Sequence, residues 1–339
     1  MELFDNGTAG LTVDFLGLVV ATSVTVVSKG LAGGNVSLGQ LAEVPNDLTT
    51  VTIKGSEAFS LGSGLSGESN SGDGAVTDIN AKAASATAIH SSLTLIDASA
   101  TSGGMIIYAG ATNTSSAGDF DNGASLNANI TISYTGLTIE GGSGDDFIEN
   151  DAKNGVVTDG NGHDTVLLGG ADAKATLGTG TGDHVNVGIS FLGTSEAAGS
   201  SLGDSVKFGS ASTATLVIGA GAEAGSTAGT TSIGLTKVHD AAAGMQLDFS
   251  ILTSSSKIVD ESTNPTVESA TTLTAAENAA VNALAGAGVA YFTFGKNEYF
   301  IATNSTEAAV SAHDAIVELV GVTNIHSAGI SGGVVTLHV

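Results

Sequence analysis

Two stretches of sequence decide the fold: Gly141-Gly-Ser-Gly-Asp-Asp-Phe-Ile-Glu149 and, beginning two nonapeptide lengths later, Asp159-Gly-Asn-Gly-His-Asp-Thr-Val-Leu167. The first stretch fits the nonapeptide pattern G-G-x-G-x-D-x-U-x at every fixed position, with Asp146 as its sixth residue and Ile148 as its apolar eighth residue. The second stretch fits at every position except the first. Because the offset is a whole number of nonapeptides, the two copies are in phase, which composition alone does not explain.

Each copy predicts a tight turn followed by a short strand. Glycine permits φ > 0 in the first half of the pattern, and the apolar eighth residue of the second half points into a core. Two nonapeptides make one full coil, so the spacing stacks Asp146 over Asp164. The loops between successive coils then offer carboxylates and backbone carbonyls to a cation. Six or more hard oxygen ligands in a flexible loop are what Ca²⁺ prefers.

Two fainter copies follow in the chain. Gly182-Asp-His-Val-Asn-Val-Gly188 and Gly203-Asp-Ser-Val-Lys-Phe-Gly209 keep the Gly-Asp pair and the alternating strand. Asp183 follows Asp164, and Asp204 follows Asp183, at intervals slightly longer than two nonapeptides. The series therefore predicts further, less regular turns of the same stack.

These motifs give the chain a resemblance to the repeats-in-toxin (RTX) proteins. The resemblance implies a right-handed parallel β-roll with Ca²⁺ bound between its turns. The Ca²⁺ ligands that it implies are the side chains of Asp146 and Asp164, the carbonyls of Gly142, Gly144, Gly160 and Gly162, and, where only the Gly-Asp core of the motif is kept, Asp183 and Asp204. The alternative interpretation is that these aspartates accept hydrogen bonds from the backbone N–H groups of their turns, as Asp commonly does.

Charge and composition exclude several classes of function. The 339 residues include 34 acidic and 9 basic residues, which gives a formal net charge of -25. Nucleic-acid binding needs cations and stacking aromatics, and aromatic residues make up 4% of the chain. An anionic membrane surface repels such a chain, and its longest uncharged apolar run, residues 15–28, is shorter than the ~20 residues that span a bilayer. We therefore expect neither nucleic-acid binding nor membrane insertion.

The same charge predicts that folding depends on calcium. The chain has no Cys, so disulfides and Cys-ligated metal sites are excluded. A folded chain with this excess of carboxylates repels itself, and each bound Ca²⁺ cancels two charges while it links neighbouring coils. His163 and His184 stand beside the repeat aspartates, and we interpret them as surface loop residues because Ca²⁺ does not prefer imidazole.

The predicted fold class is all-β: a parallel β-roll or β-helix solenoid with a small C-terminal α+β cap. Residues 1–139 show short β-runs typical of an irregular solenoid, with an antiparallel β-sandwich as the open alternative. Residues 140–270 form the predicted calcium-binding β-roll, and residues 271–339 form the cap and secretion region. Within the cap, Thr274-Ala-Ala-Glu277 predicts a capping box that begins a helix to Leu284, and residues 289–303 predict a hairpin.

The C-terminal segment carries a second resemblance. The run Tyr291-Phe-Thr-Phe-Gly-Lys-Asn-Glu-Tyr299, followed by residues 313–322, resembles the targeting region of type I secreted proteins of Gram-negative bacteria, including calcium-binding surface-layer proteins. This resemblance implies export by type I secretion and a location outside the cell, at its surface.

The sequence contains no complete catalytic motif of the kind found in secreted RTX enzymes. None of the seven His residues belongs to an H-E-x-x-H motif. Gly329-Ile-Ser-Gly-Gly333 matches G-x-S-x-G, but the six residues after it contain no Asp or Glu, so a turn is predicted there. We therefore expect a protein that is not an enzyme.

The sequence predicts an extracellular structural protein that folds and self-assembles into a surface layer (S-layer) when it binds Ca²⁺. Its main partner is then a second copy of itself. Two alternatives stay open, a calcium-dependent adhesin or biofilm-matrix protein, and the C-terminal secretion module of a larger RTX exoprotein. Cell-surface lipopolysaccharide is a further candidate partner, and no region of the sequence identifies a site for it.

Overall fold

The structure is a computed structural model of the whole chain. It describes residues 2–5, 11–19, 22–30, 35–44, 48–56, 58–61, 89–90, 93–109, 112–113, 130–133, 136–150, 152–188, 203–209, 213–219, 235–304, 306, 309–311, 314–323 and 329–338. The chain divides into two compact units, Met1–Val166 and Leu167–Val339. The predicted boundaries at 139/140 and 270/271 stay predictions.

The described residues are mostly β-strand, with two helices. The strands of the first unit are β1 (Glu2–Asp5), β2 (Leu11–Val19), β3 (Ser23–Gly30), β4 (Asn35–Val44), β5 (Thr50–Gly55), β6 (Ala58–Leu61), β7 (Ile89–His90), β8 (Leu95–Thr101), β9 (Met105–Ala109), β10 (Thr112–Asn113), β11 (Ile130–Ser133), β12 (Thr138–Glu140), β13 (Phe147–Asn150) and β14 (Val156–Thr158). Strand β15 (Thr165–Leu168) contains the boundary between the units.

The second unit contains the remaining strands and both helices. They are β16 (Lys174–Thr176), β17 (His184–Val187), β18 (Ser205–Lys207), β19 (Thr215–Ile218), β20 (Thr236–His239), β21 (Gln246–Asp248), β22 (Ile258–Asp260), α1 (Pro265–Glu268), α2 (Leu273–Leu284), β23 (Gly288–Phe294), β24 (Asn297–Thr303), β25 (Ala315–Leu319), β26 (Gly329–Ser331) and β27 (Val334–Thr336).

In the first unit, successive strands alternate between two parallel sheets. One sheet has the order β1-β3-β5-β8-β12-β14 and the other has the order β2-β4-β6-β9-β13. The small strands β7, β10 and β11 form a third sheet, in which β10 and β11 are antiparallel. The other strand pairs of this unit within the described residues are parallel, so the antiparallel sandwich considered for residues 1–139 is wrong.

Strand β5 of the first unit buries alternate side chains. In β5, Val51 and Ile53 are fully buried while Thr52 and Lys54 are more exposed. Adjacent residues of a strand point to opposite faces of the sheet, so this alternation gives β5 one apolar face. The buried residues are mainly Val, Ile, Leu and Ala, and β-branched residues pack well on a pleated surface.

The second unit changes from parallel to antiparallel pairing along each of its sheets. Strands β16, β18, β20 and β25 are parallel neighbours, and the hairpin β24–β23 continues that sheet in antiparallel pairing, with β22 parallel to β23 at its edge. The other sheet runs β17-β19-β21 in parallel and ends with the antiparallel strands β27 and β26. The G-x-S-x-G segment lies in the β26–β27 hairpin, whose turn contains Gly332 and Gly333 at positive φ.

The C-terminal hairpin is confirmed, and helix α2 packs against one face of it. Apolar residues of α2, among them Val281 and Leu284, pack with Phe292 and Ile301 of the hairpin. The predicted capping box is wrong. The N-cap is Thr272, in an extended conformation, and its Oγ1 accepts a hydrogen bond from the Ala275 N–H at 3.3 Å.

Candidate cation site

The glycine-rich turns of residues 141–164 stack in the register that the sequence predicts. Thr138 of β12 pairs with Val156 of β14, two nonapeptide lengths later, and β13 of the other sheet lies between them in the chain. Two nonapeptides therefore carry the chain through both sheets and back to the adjacent strand. The Asn161 N–H donates to the Gly142 carbonyl at 3.1 Å, which ties one turn to the next.

Close approach of the backbone explains the glycines of these turns. A Cβ on Gly160 would lie 1.8 Å from the Gly142 carbonyl oxygen, and a Cβ on Gly162 would lie 2.4 Å from the Gly144 carbonyl oxygen. Gly160 also has φ +100°, a conformation that side-chain-bearing residues rarely adopt. The structure thus brings the four predicted glycines together in two stacked pairs.

Asp146 and Asp164 lie in the same stack, and both are buried, at 3% and 1% exposure. Asp146 Oδ1 accepts the Met105 N–H and Asp146 Oδ2 accepts the Gly142 N–H, each at 2.8 Å. Asp164 Oδ1 accepts the Asp146 N–H at 2.8 Å. Both aspartates thus accept backbone N–H groups, and one carboxylate in each turn crosslinks it to the preceding one. Whether they also bind Ca²⁺ stays a prediction.

Asp204 makes the same crosslink in the second unit. Its Oδ1 accepts the Ala173 N–H at 2.8 Å, and the residues that follow these two, Ser205 and Lys174, are paired in β18 and β16. A buried aspartate in front of a strand thus serves the same purpose in both units.

Asp183 and Asp204 precede strands of two different sheets. Asp183 precedes β17, whose sheet partner is β19, and its carbonyl accepts the Thr215 N–H at 2.9 Å. Asp204 precedes β18, which belongs to the other sheet. The expectation that Asp204 continues the series after Asp183 is wrong because the coils of this unit are longer than two nonapeptides: Lys174 pairs with Ser205 and His184 with Thr215.

Burial and like charge act together on the turn carboxylates. The pKa of Asp146 is raised to about 7, mainly by burial and further by the charges of Asp164 and Asp145. The hydrogen bonds from the Gly142 and Met105 N–H groups act in the opposite direction and lower it. The ionised form is thus costly in the folded chain. A bound cation or a bound proton would remove that cost.

The chemistry of the turn donors fits a hard cation. An ionised carboxylate has about four acceptor sites, so the two N–H bonds of Asp146 leave half of its capacity for a metal ion. The other predicted ligands are also oxygens, which suit Ca²⁺. Within the described part of the chain, no group of three or more His, Cys, Asp or Glu residues could hold a metal, so a cation at these turns needs backbone carbonyls.

The two histidines beside the repeat aspartates are exposed, as predicted. The His163 N–H donates to Asp145 Oδ1 at 2.9 Å, which is a further link between successive turns.

Sequence reasoning missed two buried glutamates of the C-terminal sheet and helix, Glu277 and Glu298, each 1% exposed. The Oε1 atom of each one is buried without a hydrogen-bond partner. The available signal was the run Tyr299-Phe-Ile-Ala-Thr303, which is buried on both faces of β24 and so predicts burial of the adjacent Glu298.

Comparison with known proteins adds no relative. No family model matches the chain, and no curated protein is significantly similar to it. Among the described residues, no helix has the length and apolar character needed to cross a membrane.

Proposed function

We propose that the protein is an extracellular structural protein, a parallel β-solenoid of the β-roll kind, which folds with Ca²⁺ and assembles with copies of itself into a surface layer. One observation carries the proposal: two buried aspartates, Asp146 and Asp164, lie in glycine-rich turns stacked in a register of two nonapeptides. The alternation of strands between two parallel sheets supports the solenoid.

The ligands proposed for Ca²⁺ at these turns are the carboxylates of Asp146 and Asp164 and the carbonyls of the four stacked glycines. The ion would supply charge neutralisation there and a link between successive turns. Burial, and then the charges of the neighbouring carboxylates, destabilise ionised Asp146, and a divalent cation would offset both effects. Asp183 and Asp204 are proposed ligands of further sites, each within its own sheet.

An extracellular location is proposed because calcium concentrations there suit loops of this kind. Extracellular calcium modules bind with Kd values of about 10⁻⁴ to 10⁻³ M. A chain with a net charge of -25 would then remain poorly folded at low calcium and fold after export. Type I secretion, which the C-terminal resemblance implies, suits a chain that folds outside the cell.

A structural role is proposed rather than an enzymatic one because the buried polar groups of the turns are engaged in crosslinks. Asp146, Asp164 and Asp204 each hold a backbone N–H of a neighbouring coil. Such groups stabilise a stack, and their burial keeps them from a soluble substrate.

The test is a Ca²⁺ titration of the purified full chain, followed by circular dichroism and by negative-stain electron microscopy of the same samples. We expect β-structure and ordered sheets to appear at millimolar Ca²⁺ and to be lost with chelator, whereas Mg²⁺ at equal concentration gives neither. The double variant Asp146→Asn/Asp164→Asn should need more Ca²⁺. Asp248→Asn is the matched control, because within the described part of the chain its carboxylate accepts a local turn N–H from Ser250. Folding with Ca²⁺ but without an array would favour an adhesin, and folding without Ca²⁺ would refute the mechanism.

A further inference from the structure

Four oxygen-bearing side chains lie on one face of the C-terminal sheet. Strand pairing places Asp260 of β22 beside Tyr291 of β23, and Thr293 of β23 beside Glu298 of β24. Tyr291 and Thr293 are two residues apart in one strand, so their side chains point to the same face. Helix α2 packs on the opposite face, with Phe292 and Tyr299.

Glu298 lies at the buried end of this group. Thr293 Oγ1 donates to Glu298 Oε2 at 2.9 Å, while Glu298 Oε1 is buried and has no hydrogen-bond partner. Leu319 of β25 is its paired neighbour on the other side. A buried carboxylate oxygen without a partner is costly, so this atom indicates a missing ligand or a proton.

Asp260 lies at the solvent end of the same group. Its side chain is exposed, its Oδ1 accepts the Ser262 N–H at 2.9 Å, and it accepts a hydrogen bond from the Tyr291 hydroxyl. The Tyr291 ring stacks on Phe300 with 5.5 Å between ring centroids, and the charges of both Asp260 and Glu298 act on its hydroxyl.

The charges of this group repel one another. Burial, and then the charge of Asp260, raises the pKa of Glu298 to about 7. Burial also raises the pKa of Tyr291 to about 12, and the charges of Asp260 and Glu298 add to that shift. Two carboxylates that repel each other thus lie on the same sheet face as two hydroxyls, and the negative potential there attracts a cation.

We propose that Asp260, Tyr291, Thr293 and Glu298 form a second, separate cation site that takes Ca²⁺. The carboxylates of Asp260 and Glu298 are the charged ligands, the two hydroxyls are neutral oxygen ligands, and water fills the remaining positions of a six- to eight-coordinate ion. The exposed Asp260 gives the ion access from solvent. The site uses no residue of the glycine-rich turns, so it can be tested independently of the function proposed above.

Glu277 is the internal control for this proposal. It is equally buried and its Oε1 also has no partner, and burial alone raises its pKa to about 7, without a second carboxylate. A lone buried carboxyl in an apolar helix–sheet interface is expected to hold a proton rather than an ion.

The number of Ca²⁺ ions bound per chain tests the site. Equilibrium dialysis of the full chain is compared between the wild type and the variants Asp260→Asn, Glu298→Gln and Glu277→Gln. We expect one ion fewer, or about tenfold weaker binding at one site, in the first two variants, and no change in Glu277→Gln. Unchanged stoichiometry and affinity in both Asp260→Asn and Glu298→Gln would overturn the proposal. Asp260 is exposed, so its variant is expected to fold, which circular dichroism checks.

Luminescence of Tb³⁺, which replaces Ca²⁺ in oxygen sites, locates the ion. The chain has four Tyr and no Trp, so Tyr is the main sensitiser. We expect Tyr291→Phe to remove most of the sensitised emission that Ca²⁺ can compete away, and Tyr299→Phe, on the opposite face, to leave it. Equal emission from the wild type and Tyr291→Phe would contradict the location. The turn site is tested separately by Asp146→Asn/Asp164→Asn. If the turns bind no Ca²⁺, this double variant binds as many ions as the wild type, and the emission that depends on Tyr291 is retained.

Discussion

Buried carboxylates occur in two regions of the molecule, the glycine-rich turns of residues 141–164 and the C-terminal sheet with helix α2, and their surroundings differ. In the turns, both oxygens of Asp146 accept backbone N–H groups, one of them from the preceding turn. In the C-terminal region, Glu277 and Glu298 each keep a buried oxygen without a partner. The comparison shows that equal burial serves two purposes. The turn carboxylates crosslink neighbouring coils through backbone N–H groups. Glu277 and Glu298 keep a buried oxygen that accepts no such hydrogen bond.

The largest expected effect tests the close stacking of the turns. Gly160→Ala places a methyl group 1.8 Å from the Gly142 carbonyl oxygen at φ +100°, so we expect it to lower the free energy of unfolding by about 4 kcal/mol. Gly295→Ala is the control: φ is +67° and nothing lies within 4 Å of its Cβ, so strain alone should cost about 1 kcal/mol. Chemical denaturation measures both variants. Equal losses would show that the turns do not stack as described.

The second effect tests the carboxylate crosslink. Asp146→Ala leaves the N–H groups of Met105 and Gly142 buried without acceptors, and we expect a loss of about 3 kcal/mol. Asp97→Ala removes a carboxylate whose hydrogen bonds are local, to Ser99, and should cost under about 1 kcal/mol. Denaturation with chelator present separates this effect from metal binding. A difference of less than the experimental error would contradict the crosslink.

These two effects concern the part of the fold that the sequence predicts best. The spacing of the nonapeptides predicts the stacking of Asp146 and Asp164. Paired residues of adjacent coils are separated by two nonapeptides, as Thr138 and Val156 are, and the two aspartates have the same separation. The glycines follow from the same geometry. The places of Asp183 and Asp204 in different sheets could not be read from motifs, because their coils include long connections that the nonapeptide does not describe.

The C-terminal region was predicted in outline only. The alternation and turn chemistry of residues 289–303 predict the hairpin. The sequence places the N-cap of the helix at Thr274, whereas the structure has it at Thr272. The spacing of Glu277 from Thr274 predicts a capping box, but tertiary packing buries the Glu277 side chain in helix α2 instead. Local sequence patterns contain no information on that packing.

A third effect, of opposite sign, tests the C-terminal carboxyls. The folded pKa of Glu277 is about 7, above the ordinary value of 4.5, so its contribution to stability is complete below about pH 4.5 and is lost as pH rises through 7. We therefore expect Glu277→Met to stabilise the chain by about 2 kcal/mol at pH 8 and to change little at pH 5. Glu268→Met, on the exposed part of α1, is the control. A stabilisation that is the same at both pH values would contradict the assignment.

The smallest effect concerns the start of α2. Thr272→Ala removes the side chain that accepts the Ala275 N–H, and we expect a loss of about 1 kcal/mol. Thr274→Ala lies inside the helix and should change stability by about 0.3 kcal/mol or less. Thermal unfolding of the two variants compares them directly. A larger loss of stability from Thr274→Ala than from Thr272→Ala would support the capping box at Thr274 instead.

Ca²⁺ binding between adjacent turns is the central property proposed for this protein, and the thermal midpoint of unfolding as a function of free Ca²⁺ measures it. A ligand that binds only the folded chain raises the midpoint in proportion to the logarithm of its concentration above Kd. Asp-to-Asn changes also relieve charge repulsion, so the slope with Ca²⁺, rather than the midpoint without it, is the decisive quantity. We predict a steep rise for the wild type at millimolar Ca²⁺ and a reduced slope for Asp146→Asn/Asp164→Asn, with Asp248→Asn unchanged. A wild-type midpoint that does not move with Ca²⁺, or equal slopes in all three chains, would contradict the account.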